Sequence, residues 1–316
     1  MSHFTGQYVN RAAFTYVVIA MIVIGGIVLG ISTFKNHGKS PSAVIYCSPD
    51  GTLSSTQSIQ SHRSYCIKSN IQSRNAEPNR SISYSFSIVD DEGNTVRDFK
   101  ISHEKMLHLI VVRKDLDQFQ HVHPEFDENS ATFTVSDLMF PTPGDYRIFA
   151  DFVPESAMMG PDGLPLSVTI SEDVKIAGSH TPVALGEPAK TATTEGYIIA
   201  RNADREPSAT GMNMLSFTIS KDGKTITDLQ PYLGALGHAV VLKEGTLEYI
   251  HAHAVQESTA AQNGTIDFHV EFPFGGNYKV FLQFQHAGKV ITADFVVPVR
   301  GEAAPASDPG TNHSTH

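Results

Sequence analysis

A triad of histidines occurs twice in this chain with one spacing: His108, His121 and His123, then His238, His251 and His253, the second set 130 positions after the first. Three neutral imidazoles are good ligands for Zn²⁺ or Cu²⁺, with a fourth position left for water or a loop side chain. Binding of a copper or zinc ion, one site per repeat, is the chemistry these residues can support. Met106 precedes His108 by two residues, so its thioether would share that strand face and favour copper, whereas the second copy has Leu236 there. His286 aligns with Pro154 and is a further candidate ligand specific to the second copy; His103, Met158 and Met159 are others. A competing reading makes the histidines structural, bonding one another or backbone carbonyls at the edge of a core, because duplication copies structural residues as faithfully as ligands. Contacts to another ligand or a protein partner are a third reading.

Convergence of each triad depends on strand geometry. Residues two apart on a strand share a face, so His121 and His123 lie side by side, as do His251 and His253. A two-residue turn at Gly245–Thr246 would put His238 opposite His253, and the same register puts His108 opposite His123, with Asp115 in place of the glycine and tolerating the unusual backbone angle. Any even-length loop keeps all three rings on one face; an odd one sends the first away. That face also bears Ile110, Val112 and Phe119 in the first copy and Val240, Leu242 and Tyr249 in the second.

The matching continues beyond the histidines. "DEGNTVRDF" corresponds to "KDGKTITDL", and "FPTPGDYRIFADF" from Phe140 to "FPFGGNYKVFLQF" from Phe272, with the register slipped by two residues. The repeat is therefore a whole domain. Segments such as "SYSFSIV", "HLIVV", "TFTV" and "YKVFLQF" carry a strand pattern punctuated by Gly and Pro. "PGDY" and "GGNY" resemble a tyrosine corner, with Tyr146 and Tyr278 as its tyrosines. The prediction is an all-β chain: two tandem Ig-like antiparallel β-sandwiches behind one N-terminal transmembrane helix.

The expected order is an N-terminal segment 1–13, a transmembrane helix 14–34, a tether with a small Cys-containing region 35–79, sandwich 1 over 80–177, a linker 178–194, sandwich 2 over 195–300 and a disordered tail 301–316. Phe14 to Ile31 holds no charged residue, close to the roughly 20 apolar residues of a membrane span, and no A-x-A cleavage pattern follows. The chain is thus expected to be single-pass in the cell membrane. The charge rule barely decides orientation; strand-rich composition and the cysteines favour an extracytoplasmic bulk. Cys47 and Cys66 are the only cysteines. They are either two unrelated thiols or, in an oxidising compartment, a disulfide contributing about 3 kcal/mol.

A formal charge of −10 without a Lys/Arg cluster argues against nucleic acid as a partner. "HEKMLH" from His103 spaces its histidines one residue too widely for a zinc-protease helix, and no G-x-S-x-G, P-loop or dinucleotide fingerprint is present. No catalytic residue is assigned, although an open three-histidine metal site does not exclude catalysis.

The stretches His108–Pro124 and Leu233–His253, followed by "FLQFQHAGKV" from Phe281, resemble bacterial secreted or membrane-anchored proteins with H…HxHP modules. The resemblance covers about residues 80–298 and implies an Ig-like architecture similar to YtkA-like domains, with some relatives linked to heavy-metal or copper handling. It implies no assigned activity. At Ala254 the chain departs from the pattern, which would have proline. The resulting expectation is a membrane-anchored extracytoplasmic protein that binds copper or zinc in metal homeostasis or delivery. The alternative is a non-catalytic structural or interaction protein of the cell envelope, with an envelope protein as partner.

Overall fold

The computed structural model describes residues 45–47, 53–54, 64–71, 76–160, 163, 165–255 and 264–302. The expected membrane span and most of the tether and tail lie outside the described residues. Among the described residues every regular element is a strand, and no helix is long and apolar enough to cross a membrane.

The first module contains β1 (Ile45–Cys47), β2 (Leu53–Ser54), β3 (Tyr65–Ser69), β4 (Ser81–Asp90), β5 (Phe99–Lys100) and β6 (Leu107–Arg113). It continues with β7 (Phe119–Val122), β8 (Glu125–Asp127), β9 (Thr132–Met139), β10 (Gly144–Pro154) and β11 (Val168–Ile176). One sheet runs β2-β1-β11-β10-β6-β7 with β5 beside β10, and the other runs β3-β4-β9-β8. Alternation in β4 sends Tyr84, Phe86 and Ile88 into the core between the sheets. Tyr65 and Ala76 are buried in that core as well, so the sandwich begins upstream of residue 80. Cys66, on β3, is disulfide-bonded, and the only other cysteine in the chain is Cys47.

The second module comprises β12 (Thr191–Thr194), β13 (Tyr197–Asn202), β14 (Met212–Lys221), β15 (Lys224–Thr225) and β16 (Gly237–Lys243). The remaining strands are β17 (Tyr249–Ala254), β18 (Thr265–Glu271), β19 (Gly276–His286) and β20 (Lys289–Val299). β17 pairs with both β16 and β18, so nine strands form one continuous sheet folded around the second core. Both tyrosine corners are present: Tyr146 Oη donates to the Thr142 carbonyl and Tyr278 Oη to the Phe274 carbonyl, each at 2.9 Å.

β6 and β16 are buried along their whole length because both faces are covered. Leu107, Leu109 and Val111 enter the first core, while Ile110 and Val112 join a third cluster with Val240, Leu242, Tyr249 and Phe281 of the second module. The two sandwiches therefore share an apolar interface, each buried side chain contributing about 1.5–3 kcal/mol before entropy is counted. It is built reciprocally. Phe119 on β7 stacks on Phe281 of β19, with centroids 4.0 Å apart, and the corresponding Tyr249 on β17 meets Phe149 of β10 at 5.4 Å.

Between the modules, residues 178–194 do not behave as a loose spacer. Asp115 accepts hydrogen bonds from Val183 N at 2.9 Å and from His180 Nε2 at 3.0 Å, and Leu185 packs on the shared cluster.

Candidate metal centre

The hairpin registers place the histidines. Leu109 pairs with Val122 and Ile110 with His121, a register that continues to His108 and His123. Ala239 pairs with Ala252 and Val240 with His251, continuing likewise to His238 and His253. The connecting loops are four residues long instead of two, closed by Arg113 N to Gln118 O and Lys243 N to Glu248 O, each at 3.0 Å. Even length preserves the faces. In the first loop the positive φ falls on Leu116 (64°) rather than Asp115, and the Leu116 side chain is buried in the cluster shared by the two modules. In the second loop it falls on Gly245 (80°) and Leu247 (56°).

His108 is 3% exposed and central. Its Nε2 lies 3.0 Å from the Ser102 carbonyl oxygen, which can only accept, so the neutral ring carries its proton there and presents a lone pair at Nδ1. Gln283 Nε2 bonds Thr292 Oγ1 at 3.1 Å, leaving Oε1 to accept from His121 Nδ1 at 2.7 Å. Neutral His121 then presents its lone pair at Nε2, 3.0 Å from His108 Nδ1, and His123 Nε2 approaches the same atom at 3.2 Å. Lone pairs at this separation repel unless a proton or a cation lies between them. A tetrahedral ion with Zn–N bonds of about 2.0–2.1 Å holds its ligand nitrogens about 3.3 Å apart.

His238 enters this cluster from the second module. Its ring stacks on His108, with centroids 5.4 Å apart and an interplanar angle of 13°, and lies 5.0 Å from the His121 ring. One ligand nitrogen from each of His108, His121 and His238 falls within 4.8 Å of the others. His103, at positive φ (47°) in the turn before β6, brings a fifth imidazole 5.4 Å from His238 and 5.9 Å from His108. Burial first, with smaller electrostatic contributions from His108 and Lys105, pushes the His123 pKa down to about 3, favouring the neutral form that a metal requires.

The first-module histidines thus receive a further ring from the second module. His238 stands against the first-module rings of His108 and His121; the side chains of His251 and His253, expected beside it, lie outside the described ones. Met106 precedes β6 and packs against the first core, the one that takes Leu107 and Leu109. His286 bonds Tyr197 Oη at 2.7 Å and Asp228 at 3.2 Å, apart from the cluster. Met158 and Met159 are exposed.

Sequence reasoning missed Gln283 and its counterpart Asp151. Each sits directly opposite a triad histidine, Gln283 opposite His238 and Asp151 opposite His108. Asp151 is buried and accepts a hydrogen bond from Tyr249 Oη at 3.1 Å, across the interface. The available signal was one polar residue inside each apolar run, "FADF" and "FLQF".

A family model described as a domain of unknown function, DUF8832, matches residues 65–159 and 192–301. No curated protein matches the sequence. Among solved structures, a chimeric titin Z1Z2 is 11% identical, covering 72% of this chain and 92% of its own, with a TM-score of 0.19. Domains 4 and 5 of the S-layer protein SbsC are 11% identical over 76% of this chain and 98% of theirs, with a TM-score of 0.21. Invasin, a bacterial integrin-binding protein, is 13% identical over 74% of this chain and 39% of its own, with a TM-score of 0.20. Likenesses this distant carry no argument about function.

Proposed function

This chain belongs to the family of the domain of unknown function DUF8832, whose description names no activity, and from the site itself we propose that it binds one copper or zinc ion between its two immunoglobulin-like sandwiches. The observation carrying this reading is the convergence of His108, His121 and His238 nitrogens within 4.8 Å, with the far nitrogens of His108 and His121 held by Ser102 and Gln283 oxygens. Metal-bound histidines are characteristically oriented by such outer contacts. Copper and zinc both suit imidazole, and the donor set does not choose between them. The ion would link the modules, which fits storage or delivery of a metal outside the cytoplasm. A membrane anchor at residues 14–34 is supported by the uncharged run Phe14–Ile31, and an extracytoplasmic location by the disulfide at Cys66.

The test is titration of the metal-free full-length protein with Zn²⁺, Cu²⁺ and Cu⁺, following bound metal and melting temperature together. Binding tighter than micromolar that raises the melting temperature, and that is lost in His108→Ala, supports the proposal. A second reading, in which the histidines only join the sandwiches and the surface serves an envelope partner, is favoured by their burial at the interface. It predicts that no added metal changes the melting temperature.

A further inference from the structure

The outward face of β14 departs from its counterpart in a way the fold does not require. β4 reads "SISYSFSIVD" and β14 "MNMLSFTISK", with nearly the same burial pattern along ten residues. Ser81 and Ser83 of the first module thus correspond to Met212 and Met214, and by the alignment of the following Phe-Pro pairs Asp137 corresponds to His269. In the first module Ser81 Oγ donates to Asp137 at 3.4 Å, an ordinary polar surface. In the second, both methionines are 57% exposed and His269 is exposed as well. Exposed methionine gains nothing from burial. His269 is the direct antiparallel partner of Met214, and opposed residues of this kind have Cβ atoms about 4.5–5.5 Å apart on one face. Met212 lies on the same face two residues along.

We propose that Met212, Met214 and His269 form a surface site for a soft monovalent ion of the Cu⁺ class. Thioether sulfur is a neutral, polarizable donor that selects Cu⁺ over hard cations, and imidazole completes a mixed S/N set. The position in the sheet adds a direction. Met214 is paired with His269, His269 with His253, and the β16–β17 register carries the row on to His238. Successive strands are about 4.8 Å apart, so the row joins an exposed soft site to the buried histidine cluster in short steps. The surface site stands on its own residues; its use as an entrance to the cluster rests on the metal-binding reading above.

Ag⁺, which is soft and redox-inert under these conditions, is the probe. The full-length protein carrying ¹³C-methyl methionine is titrated with Ag⁺ while the methyl resonances are followed. The Met212 and Met214 methyls should shift together, and Met212→Leu/Met214→Leu should weaken that site at least tenfold while leaving Zn²⁺ binding unchanged. His269→Gln should weaken it similarly. Unshifted methyls near stoichiometric Ag⁺, or undiminished affinity in the leucine variant, would overturn the proposal and leave these methionines as plain surface side chains. The His108→Ala/His121→Ala variant separates the two ideas: the methionine shifts persist there even if the buried cluster binds no metal.

Discussion

At the scale of residues, the proton on His108 Nε2 organises the site. The Ser102 carbonyl fixes it, and the opposite nitrogen is thereby turned on His121 and His123. Gln283 does the same for His121 from the other module. Gln283→Ala should therefore keep the fold and lower metal affinity about 10–100-fold, measured by competition with a chelator. His123 supplies a pH dependence. Its pKa is 6.5 as a free side chain and about 3 in the fold. In the metal-free protein the unfolded chain takes up a proton that the folded one refuses. Stability from this group is thus full above about pH 6.5 and is lost as pH falls toward 3. Urea unfolding from pH 7 to 4 should show this slope, and His123→Gln should flatten it; an unchanged slope would assign the effect elsewhere. The histidine types and spacing were legible in the sequence. Their tautomers were not, since these depend on Ser102 and Gln283, which no local pattern links to the triads.

Strand elements were the most legible feature, because period-two alternation reports directly which face is buried. Hairpin parity was legible too, although the loops have four residues and strain Leu116 and Leu247 into positive φ in place of the expected turn. What stayed hidden was the role of Tyr65–Ser69, an edge strand too short and too polar to announce itself, although it pairs with β4 along five residues. Both tyrosine corners were readable from "PGDY" and "GGNY". Each donates to a carbonyl four residues upstream, so Tyr278→Phe should cost about 0.5–1.5 kcal/mol in urea unfolding. No loss at all would mean that the corner only marks the turn.

For the whole molecule, the decisive fact is that each sandwich covers the other's histidine-bearing face. The sequence hinted at this in "HLIVV" and "HAVVL", runs apolar on both faces, but a run buried twice does not say what lies on its second side. Phe281 is 4% exposed and stacks on Phe119. Phe281→Ala should cost about 3–5 kcal/mol and weaken metal binding as well, since Gln283 follows two residues later on the same face. A loss of stability with metal affinity intact would detach the interface from the site. Whether one ion is held by both sandwiches is decided by counting bound Zn²⁺, which the surface methionines do not take, in the full-length His238→Ala protein. The shared site predicts one ion per chain in the wild type and none bound tighter than micromolar in this variant, as in His108→Ala. A His238→Ala protein that still binds an ion through His108, His121 and His123 with wild-type affinity would contradict it.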